Sequence, residues 1–406
     1  MKKFTCLTML CLFGWFYLPA QNWQLNQYRS NLEFSDLQFL DSQTGFVFGD
    51  SLVSGVAITG VILKTTDGGQ SWNTLVLGNP NYEITRAHVL NATELFGAGR
   101  NGGGNTGLFI KSIDGGATWV NPALFGERLN NVFFINSNIG WVMGRNGLFS
   151  KTTDGGLTWT TQNVTGEDLN AMKFFDANTG LLACGGGELY RTSDGGNSWQ
   201  PVNPNVADGL LSISITGQQA WICGEAGTVI HSDDGGLTWT LQTPSLPIDF
   251  NAVSFASNMD GWIAGLAGIM NMTTDGGITW QAQSSSTTNE IIALEVPDIN
   301  HGWFCTHEGE IFYFDNITSL PESQDPENWI FLYPNPVTET LVVNSSNDNL
   351  QTWFIVNQNG SVVKSFKSHN NSQRQIDVSH LTAGIYRIYT ITKKGEKSVT
   401  SGFVKK

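Results

Sequence analysis

The sequence predicts an all-β protein: a seven-bladed β-propeller followed by a small Ig-like β-sandwich. Three observations carry this. The motif Ser/Thr-x-Asp-Gly-Gly-x-Ser/Thr-Trp occurs six times, its aspartates 47, 40, 40, 40 and 41 residues apart. Alternating apolar stretches and Gly-aromatic pairs recur at the same period. Charge changes sign near residue 328. Residues 21–328 hold 10 basic and 31 acidic residues, net −21, and residues 329–406 hold 9 basic and 4 acidic, net +5. Composition agrees, with 46 Gly, 14 Trp and 14% charged residues among 406, against a usual charged fraction of about 25%.

The N-terminus reads as a secretory signal peptide, residues 1–20. Lys2-Lys3 is a basic start, Phe4 to Tyr17 an apolar run, and Leu18-Pro19-Ala20 a small-residue cleavage site. No later run reaches the roughly 18 apolar residues of a spanning helix, so no membrane span is expected.

The propeller is placed at residues 21–315. Each repeat begins with an alternating stretch, such as Leu129 to Phe134 or Phe250 to Phe255. A Gly-aromatic strand follows, such as Gly140-Trp141-Val142-Met143-Gly144. A third strand, such as Gly227 to His231, enters the box, and the box tryptophan opens a fourth. Four short strands in about 40–45 residues is one propeller blade. A seventh unit, Ile291 to Tyr313, lacks a box and a fourth strand. Asn22-Trp23-Gln24-Leu25 matches the missing strand, so the N-terminus is expected to close the ring and leave no open edge.

The box aspartates are Asp67, Asp114, Asp154, Asp194, Asp234 and Asp275. Asp-Gly-Gly suits a tight turn, since glycine supplies positive φ and aspartate bonds nearby amides. Six equivalent copies argue for a structural role. Seven tryptophans (Trp23, Trp72, Trp119, Trp159, Trp199, Trp239 and Trp280) share one repeat position and are assigned to the core. Cys184, Cys223 and Cys305 form no metal-ligating spacing and are expected as free thiols.

These boxes resemble the Asp-box, or BNR-like, repeats. The full unit is most similar to the photosystem II assembly-factor type of propeller over about residues 22–315. That resemblance implies the fold and says little about function.

Residues 316–328 have a linker composition. Beyond them, alternating strands and the turns Asn359-Gly360 and Lys394-Gly395 predict a small sandwich at residues 329–406. This segment resembles the type A C-terminal sorting domain of the type IX secretion system of Bacteroidota. The resemblance rests on Leu332-Tyr333-Pro334-Asn335-Pro336, Leu381-Thr382-Ala383-Gly384-Ile385-Tyr386 and Phe403-Val404-Lys405-Lys406. It implies handling by the secretion machinery, removal of the domain by a sortase, and a body anchored at the cell surface or released.

A net charge of −14 is wrong for a protein that tracks nucleic-acid phosphates. No P-loop, G-x-S-x-G or H-E-x-x-H is present, and His301 and His307 have no ligand spacing, so no cofactor or metal is expected. Recognition is expected on the rim of loops joining second to third strands, opposite the boxes. Aligned repeats place Asp50, Arg100, Arg145, Gly185, Glu225, Leu266 and His307 there. Asp50, Arg100, Arg145, Glu225 and His307 are the candidate ligand-binding residues, with Arg100 and Arg145 suited to a carboxylate or phosphate. The expected function is non-catalytic binding of a protein or glycan. The alternative is an Asp-box glycoside hydrolase, for which Glu127, Glu167, Asp168, Asp249 and Glu308 are the available carboxylates.

Overall fold

The computed structural model describes residues 23–53, 56–102, 104–244, 246–315, 330–333, 337–345, 350–357, 362–367, 373–382, 384–392 and 397–405. The expected signal peptide, the linker and both end-domain turns lie outside these residues. The chain divides into two compact units at Asn316 and Ile317.

The first unit is seven four-stranded antiparallel sheets. Blade 1 runs from Leu32 to Val76, blade 2 from Tyr82 to Phe125, and blade 3 from Leu129 to Asn163. Blades 4, 5 and 6 run from Leu169 to Val202, Leu210 to Gln242 and Phe250 to Gln283. Blade 7 combines three strands between Ile291 and Asp315 with the N-terminal strand Gln24–Tyr28. That strand pairs antiparallel with the third strand of blade 7, Gln24 opposite Tyr313 and Tyr28 opposite Glu310.

Aromatic rings bind blade to blade. Phe96 of blade 2 stacks on Phe134 of blade 3 at 3.6 Å, and Trp221 of blade 5 on Phe255 of blade 6 at 3.7 Å. Trp303 of blade 7 stacks on Phe39 of blade 1 at 3.7 Å, so the ladder crosses the seam. The Gly-aromatic motif follows from this packing. A Cβ at Gly140 would lie 2.5 Å from the Phe134 ring, so the second strand must begin with glycine for that ring to reach its neighbour. The most buried tryptophans are those of the second strands, Trp141, Trp221, Trp262 and Trp303, with Trp23 and Trp353. Four of the box tryptophans, Trp72, Trp119, Trp159 and Trp199, are half-buried. Trp159 meets Phe109 and Phe134 edge-on between two blades.

The innermost strands are joined by side chains rather than by ladder bonds. Asn131 Nδ2 donates to the Asn170 carbonyl and Asn170 Nδ2 to that of Leu210, at 3.0 and 2.9 Å. Ser254 Oγ accepts from the Val296 amide at 2.9 Å. Buried Asp36 accepts from the Ala87 amide at 2.9 Å. Burial pushes its carboxyl above the usual range, and the nearby Arg86 charge opposes that shift.

All six boxes share one network. In blade 3, Thr152 Oγ1 donates to Asp154 Oδ1 at 2.8 Å and accepts from the Gly156 amide at 2.9 Å. Asp154 Oδ1 accepts from the Thr158 amide at 2.9 Å and Oδ2 from the Thr158 hydroxyl at 2.6 Å. Box carbonyls also receive donors from the preceding blade. Lys151 reaches the Gly195 carbonyl at 2.7 Å, and Arg191 reaches that of Gly235 at 2.8 Å. The basic residues ahead of these boxes are therefore blade-to-blade ties.

Donation from Thr158 and Thr152 holds the Asp154 carboxyl down to about 2. A depressed folded pKa stabilises above the unfolded value of roughly 3.9 and is lost as pH falls through the folded one. Asp154→Ala should therefore lower the melting temperature at neutral pH, with the deficit shrinking between about pH 4 and pH 2. Ligand binding at the opposite rim should not change. A pH-independent deficit in thermal melts would contradict this role.

The three cysteines are buried and unbridged. Cys223 donates to the Phe250 carbonyl at 3.2 Å, and burial raises its thiol far above the ordinary value.

The second unit contains a three-stranded sheet (Ile330–Tyr333, Thr340–Ser345 and Gln373–Asp377) and a four-stranded sheet. The four strands, in spatial order, are Val362–Lys367, Leu350–Asn357, Gly384–Thr392 and Lys397–Lys405. Leu341, Val343 and Ile376 from one sheet share a buried cluster with Trp353, Ile355 and Ile388 from the other.

Candidate functional site

Inner strands line an axial channel. At the end opposite the boxes it widens into a mouth of about 520 Å³. The mouth follows from the way each blade begins. The residue just before or at the start of an inner strand bonds through its backbone to a residue near the end of the second strand or just past it. Glu33 pairs with Asp50, and Glu83 with Arg100. The Arg145 amide donates to the Arg128 carbonyl at 3.1 Å. The same bond joins Gly185 to Asp168, Glu225 to Gly209, Leu266 to Asp249 and His307 to Glu290. The sequence-aligned rim is therefore backed by a second ring nearer the axis. That ring is Glu33, Glu83, Arg128, Asp168, Gly209, Asp249 and Glu290, in which Arg128 is the single cation.

Of the candidate residues, Asp50, Arg100, Arg145 and His307 line the mouth. Glu225 does not. It is exposed at the start of a blade 5 turn, where its carboxylate accepts from the Gly209 amide at 3.2 Å. Arg100 is not free either, because its Nε lies 2.5 Å from Glu83 Oε2. Arg145 is half-exposed and 4.0 Å from Asp168 Oδ2.

The residue that alignment missed is Arg128. It lies between the two arginines in the electrostatic sense: burial, then Arg100, then Arg145 lower the affinity of its guanidinium for a proton. Its buried Nε has no hydrogen-bond partner among the described residues. Asp50 shows the opposite pattern. Burial pushes its carboxyl up to about 7, and Glu83 and Glu33 add to the shift while Arg100 and Arg128 oppose it. Its Oδ1 is buried and likewise has no partner among the described residues.

Two of the carboxylates available for hydrolysis have local work. Asp168 accepts from the Asn146 amide at 3.0 Å, and Asp249 from the Ala226 amide at 2.9 Å. Asn146 and Ala226 hold φ of 52° and 53°, a left-handed conformation that non-glycine residues adopt only when anchored. Below the mouth the channel continues as a chamber of about 290 Å³. The two cavities share Arg86, Leu211, Asn251 and Ile292.

Residues 331–406 match a secretion system C-terminal sorting domain. Residues 164–248 match the photosynthesis system II assembly factor YCF48 family model. No curated protein matches the chain. Among solved structures, "YCF48 bound to D1 peptide" superposes with a TM-score of 0.59 at 19% identity, covering 73% of this chain and 98% of that one. YCF48 from Cyanidioschyzon merolae gives 0.57 at 16% identity, covering 74% and 99%. The WD40 repeats of RRP9 give 0.59 at 10% identity, covering 73% and 98%. At these identities the likeness shows the fold alone. Among the described residues no helix is long and apolar enough to cross a membrane. The sorting domain implies a secreted or outer-surface location. The chain is thus a seven-bladed propeller, of which residues 164–248 match the photosystem II assembly-factor family model, followed by residues 331–406 that match a secretion-system C-terminal sorting domain.

Proposed function

We propose that this is an exported, non-catalytic propeller whose mouth binds a carboxylate-bearing peptide. Export begins with removal of the signal peptide. It ends with a sortase removing the sorting domain, which leaves the propeller at the surface or in the medium.

Arg128 carries this reading. It is the only cation of the inner ring, its Nε is buried without a partner among the described residues, and Arg100 and Arg145 flank it electrostatically. A partly desolvated guanidinium whose Nε–H is unmet is costly, and a carboxylate can accept a strong bidentate pair from it. A similar propeller has been solved with a peptide bound, which favours a peptide over a glycan.

The test is a peptide array probed with the mature propeller, then with Arg128→Ala and with Arg100→Ala/Arg145→Ala. Each variant should weaken binding of acidic peptides by more than about 1 kcal/mol, roughly fivefold. Exposed Arg145 should contribute little to melting. Full affinity in both variants would contradict the site.

A further inference from the structure

We propose that the peptide taken at the mouth carries a cationic side chain close to its carboxylate, with Asp50 receiving the cation and Arg128 the carboxylate. This rests on the mouth being the binding site and adds what the site selects.

Charge is unevenly spread around the mouth, which Arg86 also lines and where Asp168 lies beside Arg145. Asp50, Glu33 and Glu290 lie on blades 1 and 7, whereas Arg128 and Arg145 lie on blade 3. Between them, on blade 2, Arg100 and Glu83 neutralise one another. Asp50 and Arg128 feel each other's charge, yet no ion pair joins them among the described residues. Each keeps one buried polar atom without a partner there, and both line the same cavity.

Two half-buried groups of opposite sign that do not pair, each with one buried polar atom, retain part of a desolvation cost. A purely anionic ligand relieves only Arg128 and adds repulsion at Asp50. A ligand with both charges relieves both. Glu33 beside Asp50 reinforces the preference for a cation. A cavity of about 520 Å³ falls within the roughly 300–1,000 Å³ of sites that enclose small ligands, enough for the paired side chains of a short peptide segment.

Titration supports the assignment. Asp50 sits near 7, so its ionised form, which attracts a cation, gains population as pH rises from 6 to 8. The groups facing it are Glu33, Glu83, Arg100, Arg128 and His307.

The experiment measures calorimetric binding of five synthetic probes to the mature propeller. Three are acetyl-Gly-Glu-Gly-Lys-Gly-amide, the same peptide with acetyllysine, and the same with glutamine for glutamate. The others are acetyl-Gly-Gly-Lys with a free carboxylate and its amide, which tell a side-chain acid from a chain terminus. Acetylating the lysine should weaken binding at least fivefold, more at pH 8 than at pH 6. Asp50→Asn and Asp50→Ser should each abolish that discrimination while still preferring glutamate to glutamine. Equal binding of the lysine and acetyllysine probes, or discrimination that survives both Asp50 variants, would overturn the proposal. If Arg128→Ala also binds every probe as the parent does, or if no probe binds, the mouth reading fails with it. If Arg128→Ala loses binding but the Asp50 variants still discriminate, only the cation assignment falls.

Discussion

Deleting residues 21–28 should unfold most of the propeller rather than loosen one blade. The N-terminal strand is the fourth strand of blade 7, and Trp23 directly before it is 1% exposed. The Trp23 ring lies 4.9 Å from Phe304 and 4.5 Å from Phe314, both in the core of blade 7. Ser286 donates to the Trp23 carbonyl at 3.0 Å. The strand also reaches across the seam. Asn26 donates to the Gly69 carbonyl at 2.9 Å and accepts from the Trp72 indole at 2.7 Å, tying blade 7 to the box of blade 1. Losing a buried tryptophan alone costs about 3–5 kcal/mol. The deletion adds a lost strand ladder and an exposed edge in blade 7. Total stability of about 5–15 kcal/mol leaves little margin for that sum. Denaturant melts of the deletion and of Trp23→Ala check this, with the deletion the more severe. An unchanged midpoint in the deletion would mean that the ring closes without this strand.

Asp50→Asn should stabilise the protein at pH 8 and change little at pH 4. A folded pKa of about 7 lies above the unfolded value of roughly 3.9. Between these values the folded state holds a proton that the unfolded chain has released, so native stability falls as pH rises through the interval. Above about pH 7 the penalty is complete. The amide carries no such charge. Its advantage should grow from pH 4 to pH 7, then level off at about 2 kcal/mol once the partly open mouth is allowed for. Paired thermal melts across this range test it. A constant difference between variant and parent would show that Asp50 titrates normally.

The repeat made much of the fold legible. Box spacing located each third-to-fourth strand turn, and the likeness of Trp23 to Trp280 located the closing strand. Less legible was the division of labour among aromatics. The box tryptophans stand out in sequence because the motif around them is rigid. The second-strand rings of Trp141, Trp221 and Trp303 carry the stacking between blades, and their partners Phe174, Phe255 and Phe39 lie in the next blade around the ring.

The mouth was half legible for a similar reason. Asp50 and Arg100 lie near the ends of second strands and Arg145 and His307 just past them, a position the Gly-aromatic pattern marks. Arg128, Glu33 and Glu83 precede or begin inner strands, after connectors whose lengths differ from blade to blade. A usable signal existed: an ionisable residue immediately before or within the start of an alternating run, repeated in six blades. Only register showed that it bonds to the rim residue. That Arg100 is taken by Glu83, while Arg128 and Asp50 keep atoms unpartnered among the described residues, follows from side-chain reach and burial, which spacing does not encode.

The claim that the mouth is the binding face is tested most directly by amide hydrogen exchange with and without acetyl-Gly-Glu-Gly-Lys-Gly-amide. Exchange should slow around Glu33, Asp50, Glu83 and Arg128 and stay unchanged in the box turns at Asp67, Asp154 and Asp234. Protection confined to the box turns, with the mouth unaffected, would contradict it.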